Sequence, residues 1–147
     1  MPSAEQAPPS GQTPLSGQAP AAEPALAAGH AADAGQAPIT VGDFFRADIR
    51  AGTVIRAERF PRARTPAYKL WIDFGDLGVR KSSAQITARY TPEELTGRTV
   101  VAVTNFPPRQ IAGFMSEVLV LGVPLGEAGE VVLLRPDGDV PPGARVA

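Results

Sequence analysis

A chain of 147 residues with 14 Lys and Arg, 15 Asp and Glu, a single histidine and no cysteine has room for roughly one domain of about 100 to 150 residues, and disulfides, thiolate metal sites and Cys nucleophiles are excluded. His30 lies in an N-terminal stretch, 1–38, dominated by Ala, Pro, Gln, Gly and Ser, with Glu5, Glu23 and Asp33 as its charges and no Lys, Arg or aromatic residue. The rest of the chain therefore lacks both the commonest general base and the commonest transition-metal ligands, which disfavours catalysis and implies no metal and no cofactor.

In chain order, the 1–38 stretch comes first, and it cannot bury enough apolar surface to offset the entropy of ordering it. It is predicted to be a disordered, partly polyproline-like tail. It lacks the basic start and continuous apolar run of a secretory signal, and the Arg of a mitochondrial presequence. Nothing later reaches the roughly 20 apolar residues of a membrane span. The expectation is a cytoplasmic protein without membrane insertion, whose folded domain occupies 39–147.

That domain holds all 14 basic side chains and 12 of the acids, a net charge of about +2. The surplus is local. Arg46, Arg50, Arg56, Arg59, Arg62, Arg64, Lys69, Arg80 and Lys81 face only Asp48, Glu58, Asp73 and Asp76. Dedicated nucleic-acid binders usually carry a domain pI above roughly 9, so weak or shape-led RNA binding fits this balance better than tight duplex binding.

From Asp48 the periodicity is that of strands. Ile49, Ala51, Thr53, Ile55 and Ala57 alternate with Arg50, Gly52, Val54, Arg56 and Glu58 as in a half-buried antiparallel strand, with Gly52 a point where it can bend. After the turn-like 61–66, Tyr68, Leu70, Ile72 and Phe74 alternate with Lys69, Trp71 and Asp73 to give a second strand. Gly75-Asp76-Leu77-Gly78 is a hairpin signal leading to a third strand, which ends in Lys81-Ser82-Ser83-Ala84-Gln85-Ile86. Thr91-Pro92-Glu93-Glu94-Leu95 supplies a capping box with Pro at the first helical position, and Gly97 stops that helix after little more than one turn. Two mostly apolar strands, 99–104 and 117–122, are expected to be buried on both faces, and 130–135 forms a further strand after the Gly-rich turn at 126–129. This order predicts an all-β domain: a small closed β-barrel of the oligonucleotide/oligosaccharide-binding (OB) type with one short helix. By spacing alone, an unrelated small barrel gives nearly the same pattern.

Several strings carry a family resemblance: Asp48-Ile49-Arg50-Ala51-Gly52-Thr53, Pro66-Ala67-Tyr68-Lys69-Leu70, residues 81–86, Arg89-Tyr90-Thr91-Pro92-Glu93-Glu94-Leu95, and residues 105–122. Over 39–147 the chain resembles the CsaA family of export-related chaperones. The resemblance implies a homodimer of the OB barrel, kinship with tRNA-binding domains, and binding of unfolded or exported precursor polypeptides. The 1–38 stretch matches no part of that pattern. tRNA-binding relatives resemble Ser-x-Gly-Met where this chain reads Ser116-Glu117-Val118-Leu119, and Glu117 would repel phosphate if it faced a ligand.

The candidate site residues lie in two polar strings, 81–86 and 105–117, which mix fixed hydrogen-bonding groups with Pro, Gly and apolar side chains. For polypeptide the candidates are Asn105, Phe106, Pro107, Phe114 and Met115. Phe106, Phe114 and Met115 form either an adaptable apolar patch or core and dimer contacts. For RNA, the alternative ligand, they are Lys81, Ser82, Gln85, Arg109 and Ser116. Ser82, Ser83 and Gln85 either satisfy backbone groups at a strand end or meet an RNA backbone or peptide main chain. Arg109 follows Pro107-Pro108 on a stiffened loop, either as a solvated side chain or as a two-bond partner for phosphate or carboxylate. Trp71, on the polar face of its strand, could stack on a base, bind a peptide or fill a dimer interface. A Ser-Lys nucleophile is disfavoured because adjacent strand residues point to opposite faces, leaving Lys81 and Ser83 as the same-face pair. Asp137-Gly138-Asp139 reads as a turn rather than a metal loop. Binding of polypeptide without ATP is thus the first reading, and binding of tRNA in trans the second.

Overall fold

The structure, a computed structural model, describes residues 35–127 and 129–147. The expectation of a disordered tail falls, for residues 1–34, outside the described residues. All elements below belong to the unit Ile39–Ala147.

Strand β1 (Ile49–Arg59) is long enough to serve two neighbours. Its first half pairs antiparallel with β4 (Thr99–Val103), Ile49 opposite Val103 and Thr53 opposite Thr99, and its second half pairs with β2 (Tyr68–Asp73). Thr53 pairs with both neighbours, and a β-bulge between Val54 and Arg56 follows in the β1–β2 ladder. Up to the bulge the alternation is the reverse of that read from the sequence, since Val54 is fully buried and Ile55, in phase with Ile49 and Ala51, is 49% exposed; beyond it Ala57 packs against the core, as read. At Gly52 a Cβ would stand 2.7 Å from both Ile72 Cγ2 and the Phe74 ring, so the glycine serves close packing as well as bending.

Strand β2 pairs with β3 (Val79–Ala84) through the hairpin expected at 75–78, which closes on a short 3₁₀ turn. Helix α2 (Pro92–Leu95) has the expected capping box, Thr91 Oγ1 accepting from the Glu94 N–H and Glu94 accepting from the Thr91 N–H. A second helix, α1 (Val41–Phe45), corrects the expectation of one. Its capping box uses Thr40 and Asp43, an Asp where the usual signature has Glu or Gln, and every one of its residues is exposed.

The main sheet runs β3-β2-β1-β4-β7, with β7 limited to Leu119–Val120. The predicted strand 117–122 is therefore split, because the chain leaves β7 for β8 (Gly122–Leu125), which pairs in a hairpin with β9 (Glu130–Leu133). Burial on both faces holds for β4 from Val100 to Val103 but fails for β7, where Leu119 is exposed. The seam between the sheet's ends is bridged by hydrogen bonds. The Glu117 N–H donates to Lys81 O (2.7 Å), and Ser82 Oγ donates to Val118 O (2.9 Å). The result is the nearly closed OB-type barrel the sequence predicts.

Its core comprises Val54, Leu70, Ile72, Phe74, Leu95, Val100 and Ala102, all fully buried, and burial of each large side chain contributes about 1.5–3 kcal/mol. Two tyrosines lend the core polar ties: Tyr68 Oη donates to Tyr90 O (2.6 Å), and Tyr90 Oη accepts from the Leu133 N–H (3.0 Å). The C-terminal residues lie along the first half of β1, with the Gly143 N–H on Ala51 O (2.8 Å) and the Val146 N–H on Ile49 O (2.8 Å). Burial opposes ionisation of Asp48, but its bond to Arg50 Nε (2.9 Å) and the nearby Arg145 outweigh that and hold its carboxyl below the usual aspartate value.

Candidate functional site

Strand alternation puts Tyr68, Leu70 and Ile72 into the core and turns Lys69 and Trp71 outward. Antiparallel register extends that outer face across the sheet, because residues directly opposite point the same way. One row is Arg56, Trp71 and Lys81, and the next is Glu58, Lys69 and Ser83. Had the bulge been absent, Arg56 and Glu58 would point inward.

A second hairpin, unpredicted, meets this face. Strands β5 (Arg109–Ile111) and β6 (Phe114–Ser116) join through Ala112 and Gly113, both at positive φ (48° and 84°), the backbone of a tight two-residue turn. Ala-Gly carries that turn more weakly as a signal than Asn-Gly, which is why the string read as loop. Arg109 accordingly starts a strand rather than lying on a loop, and it is exposed opposite Ser116.

Phe114 docks the hairpin. It is buried in a second small cluster with Phe60 and Ala67, against which Ala63, Trp71 and Ile111 pack. Its ring meets Phe60 edge-on at 5.5 Å and Trp71 edge-on at 5.7 Å. Cations ride on these rings: the Arg56 guanidinium lies 4.4 Å from the Trp71 centroid, Lys69 Nζ 4.9 Å from Phe60 and Lys81 Nζ 5.2 Å from Phe114. Arg56 Nε also donates to Glu58 Oε2 at 2.6 Å.

The two polar strings converge at the barrel seam. The Lys81 N–H donates to Glu117 Oε1 (2.8 Å), and the Ser83 N–H donates to Ser116 Oγ (3.0 Å). Glu117 thus engages the backbone of the neighbouring strand. Ser82 is buried, and its hydroxyl belongs to the seam. Asn105 lies elsewhere in role: its amide accepts from the Asp48 N–H (2.9 Å) and donates to Arg46 O (2.8 Å), fixing the entry to β1. Gln85 is exposed just beyond β3, Phe106 and Pro107 are exposed before β5, and Met115 is 38% exposed on β6. Phe60 was not singled out in the sequence, and Arg56 and Lys69 were read there only as part of a local basic run, although the Lys69/Trp71 alternation contained the signal for the face that joins them.

An outward face on β2 and β3, bordered by the β1–β2 loop (60–67) and the β4–β7 connection (104–118), is where OB barrels hold extended ligands, and here it carries both rings and cations. Fold and face together define a ligand-binding barrel of that class. Residues 49–145 match the family described as "Putative tRNA binding domain". The crystal structure of chaperone CsaA from Bacillus anthracis str. Ames is similar at a TM-score of 0.71 and 55% identity, covering 76% of this chain and 100% of that one. That of a MetRS related protein from Pyrococcus horikoshii is similar at a TM-score of 0.67 and 30% identity, over 76% and 100%. The methionine–tRNA ligase of Thermotoga maritima is 37% identical over 112 residues, 76% of this chain and 17% of that enzyme. The chain belongs to the tRNA-binding-domain family, as a CsaA-type member. It spans about a sixth of the length of the curated relatives it matches, the part they share being the tRNA-binding domain. Among the described residues no helix is long and apolar enough to cross a membrane.

Proposed function

We propose that this protein binds extended, partly apolar segments of unfolded or precursor polypeptides on the outer β2–β3 face, in the cytoplasm and without ATP, and so keeps them from folding or aggregating. The observation that carries the reading is the second aromatic cluster, Phe60, Trp71 and Phe114, built outside the main core on that face. Its hairpin also presents Met115, and the same connection presents Phe106, which is 46% exposed. Met is unbranched and polarizable and adapts to varied side chains, as a binder of many sequences requires. Binding is passive: rings and apolar side chains take up ligand side chains, while Arg109 and Gln85 supply polar contacts to the backbone. A homodimer would offer two such faces and raise avidity for long chains. The 55% identity to chaperone CsaA from Bacillus anthracis supports the same reading.

A second reading is favoured by one observation. Arg56, Lys69 and Lys81 sit against the rings, as in platforms that stack bases and follow phosphates, and the family description supports tRNA as the ligand. Salt separates the two. Anisotropy of labelled bulk tRNA at roughly 50 and 200 mM salt, with an unlabelled unfolded precursor as competitor, is expected to give weak binding that the precursor displaces. Tight, steeply salt-dependent binding that the precursor leaves untouched would make tRNA the main ligand.

A further inference from the structure

Arg56 and Glu58 are two residues apart beyond the bulge, so both project onto the outer face. Across the sheet Arg56 stands opposite Trp71 and Glu58 opposite Lys69. Glu58 therefore has a cation beside it along the strand and another across it. Arg56 directs both Nε and Nη2 to the single oxygen Oε2 of Glu58 while its guanidinium carbon lies over the Trp71 ring, 4.4 Å from the centroid.

That arrangement has two effects. The Nε/Nη2 edge that would grip a phosphate with two bonds is given to a carboxylate, and the charge that would release a counterion from nucleic acid is locally neutralised. The ring face of Trp71 that a base would stack on is occupied by the same guanidinium. An apolar peptide side chain has no need of Arg56's donors and can pack at the exposed edge of Trp71 and on Met115.

We propose that Glu58 is the specificity-determining residue of this face: by holding Arg56 on Trp71 it lowers affinity for phosphate backbones and leaves affinity for polypeptide largely intact. The proposal rests on the polypeptide-binding reading above. Both side chains are substantially exposed, at 60% and 40%, so the pair adds little to stability and its removal leaves the fold in place.

The test compares Glu58→Gln with Glu93→Gln, which removes the same charge from an exposed position on α2, in the full-length protein. Binding of bulk tRNA is measured across a salt series, and binding of a labelled unfolded precursor polypeptide in parallel. Glu58→Gln is expected to tighten tRNA binding by about fivefold at low salt and to steepen the slope of log K against log salt by about one, as one recovered phosphate contact requires. Precursor affinity should stay within about twofold, and Glu93→Gln should change neither ligand by more than about twofold. Equal behaviour of the two variants, or an unchanged salt slope for Glu58→Gln, would overturn the role given to Glu58. A Trp71→Ala variant that binds both ligands normally would instead remove the face itself, and the inference with it.

Discussion

Trp71→Ala is expected to weaken binding of an unfolded precursor about 30-fold, a loss of about 2 kcal/mol and typical of an aromatic hot spot. Trp71 is half-buried, contributes to the outer cluster rather than to the main core, and joins the two halves of the face: Arg56 on one side and Phe114 on the other. The neighbours that build the barrel, Leu70 and Ile72, point the opposite way and are fully buried, so the variant should keep its far-ultraviolet circular dichroism. Isothermal titration of wild type and variant with one precursor measures the effect. A change below about threefold in a folded variant would mean that the face is not where the polypeptide binds.

Gly52→Ala is expected to destabilise the domain by about 1–3 kcal/mol, the cost of overpacking a closed core, and to lower Tm by roughly 10 °C. The added methyl would sit 2.7 Å from Ile72 Cγ2 and from a Phe74 ring atom, and 2.8 Å from another atom of that ring, with all three residues buried. The same exchange at Gly138, where a Cβ meets nothing within 4 Å and the φ is not left-handed, should stay within about 0.5 kcal/mol of wild type. Calorimetry on the pair separates close packing from a general effect of replacing glycine. Equal melting temperatures would show that the core yields around position 52 at no cost.

The contrast between these residues also explains how far the sequence could be read. Strand β2 was legible because Tyr68, Leu70 and Ile72 face one side and Lys69 and Trp71 the other with no interruption, and helix α2 because its cap, Pro and stop residues agree. The β1 phase was not legible. A bulge is one extra residue with no characteristic side chain, so Ile55 reads as inward although Val54 is the residue that enters the core. The β5–β6 hairpin escaped for a related reason, since an Ala-Gly turn between three-residue strands leaves too little periodicity to detect. Among the site residues, Phe114, Lys81 and Ser116 came together as two strings converging on one seam. Ser82 and Asn105 carried the same kinds of polar group, but Ser82 closes the barrel and Asn105 holds the start of β1. Hydrogen-bonding capacity is visible in a sequence, whereas its allotment to backbone or ligand depends on partners 36 and 57 residues away.

Trp71 is the single tryptophan of the chain, so its emission reports on the proposed face alone. The most direct measurement is therefore a titration of the protein with an unfolded precursor that lacks tryptophan, following Trp71 fluorescence and, separately, the anisotropy of the labelled precursor. The account predicts a saturable change in Trp71 emission whose midpoint matches that of the anisotropy curve. Saturable anisotropy with Trp71 emission unchanged throughout would place the polypeptide on another surface and contradict the account.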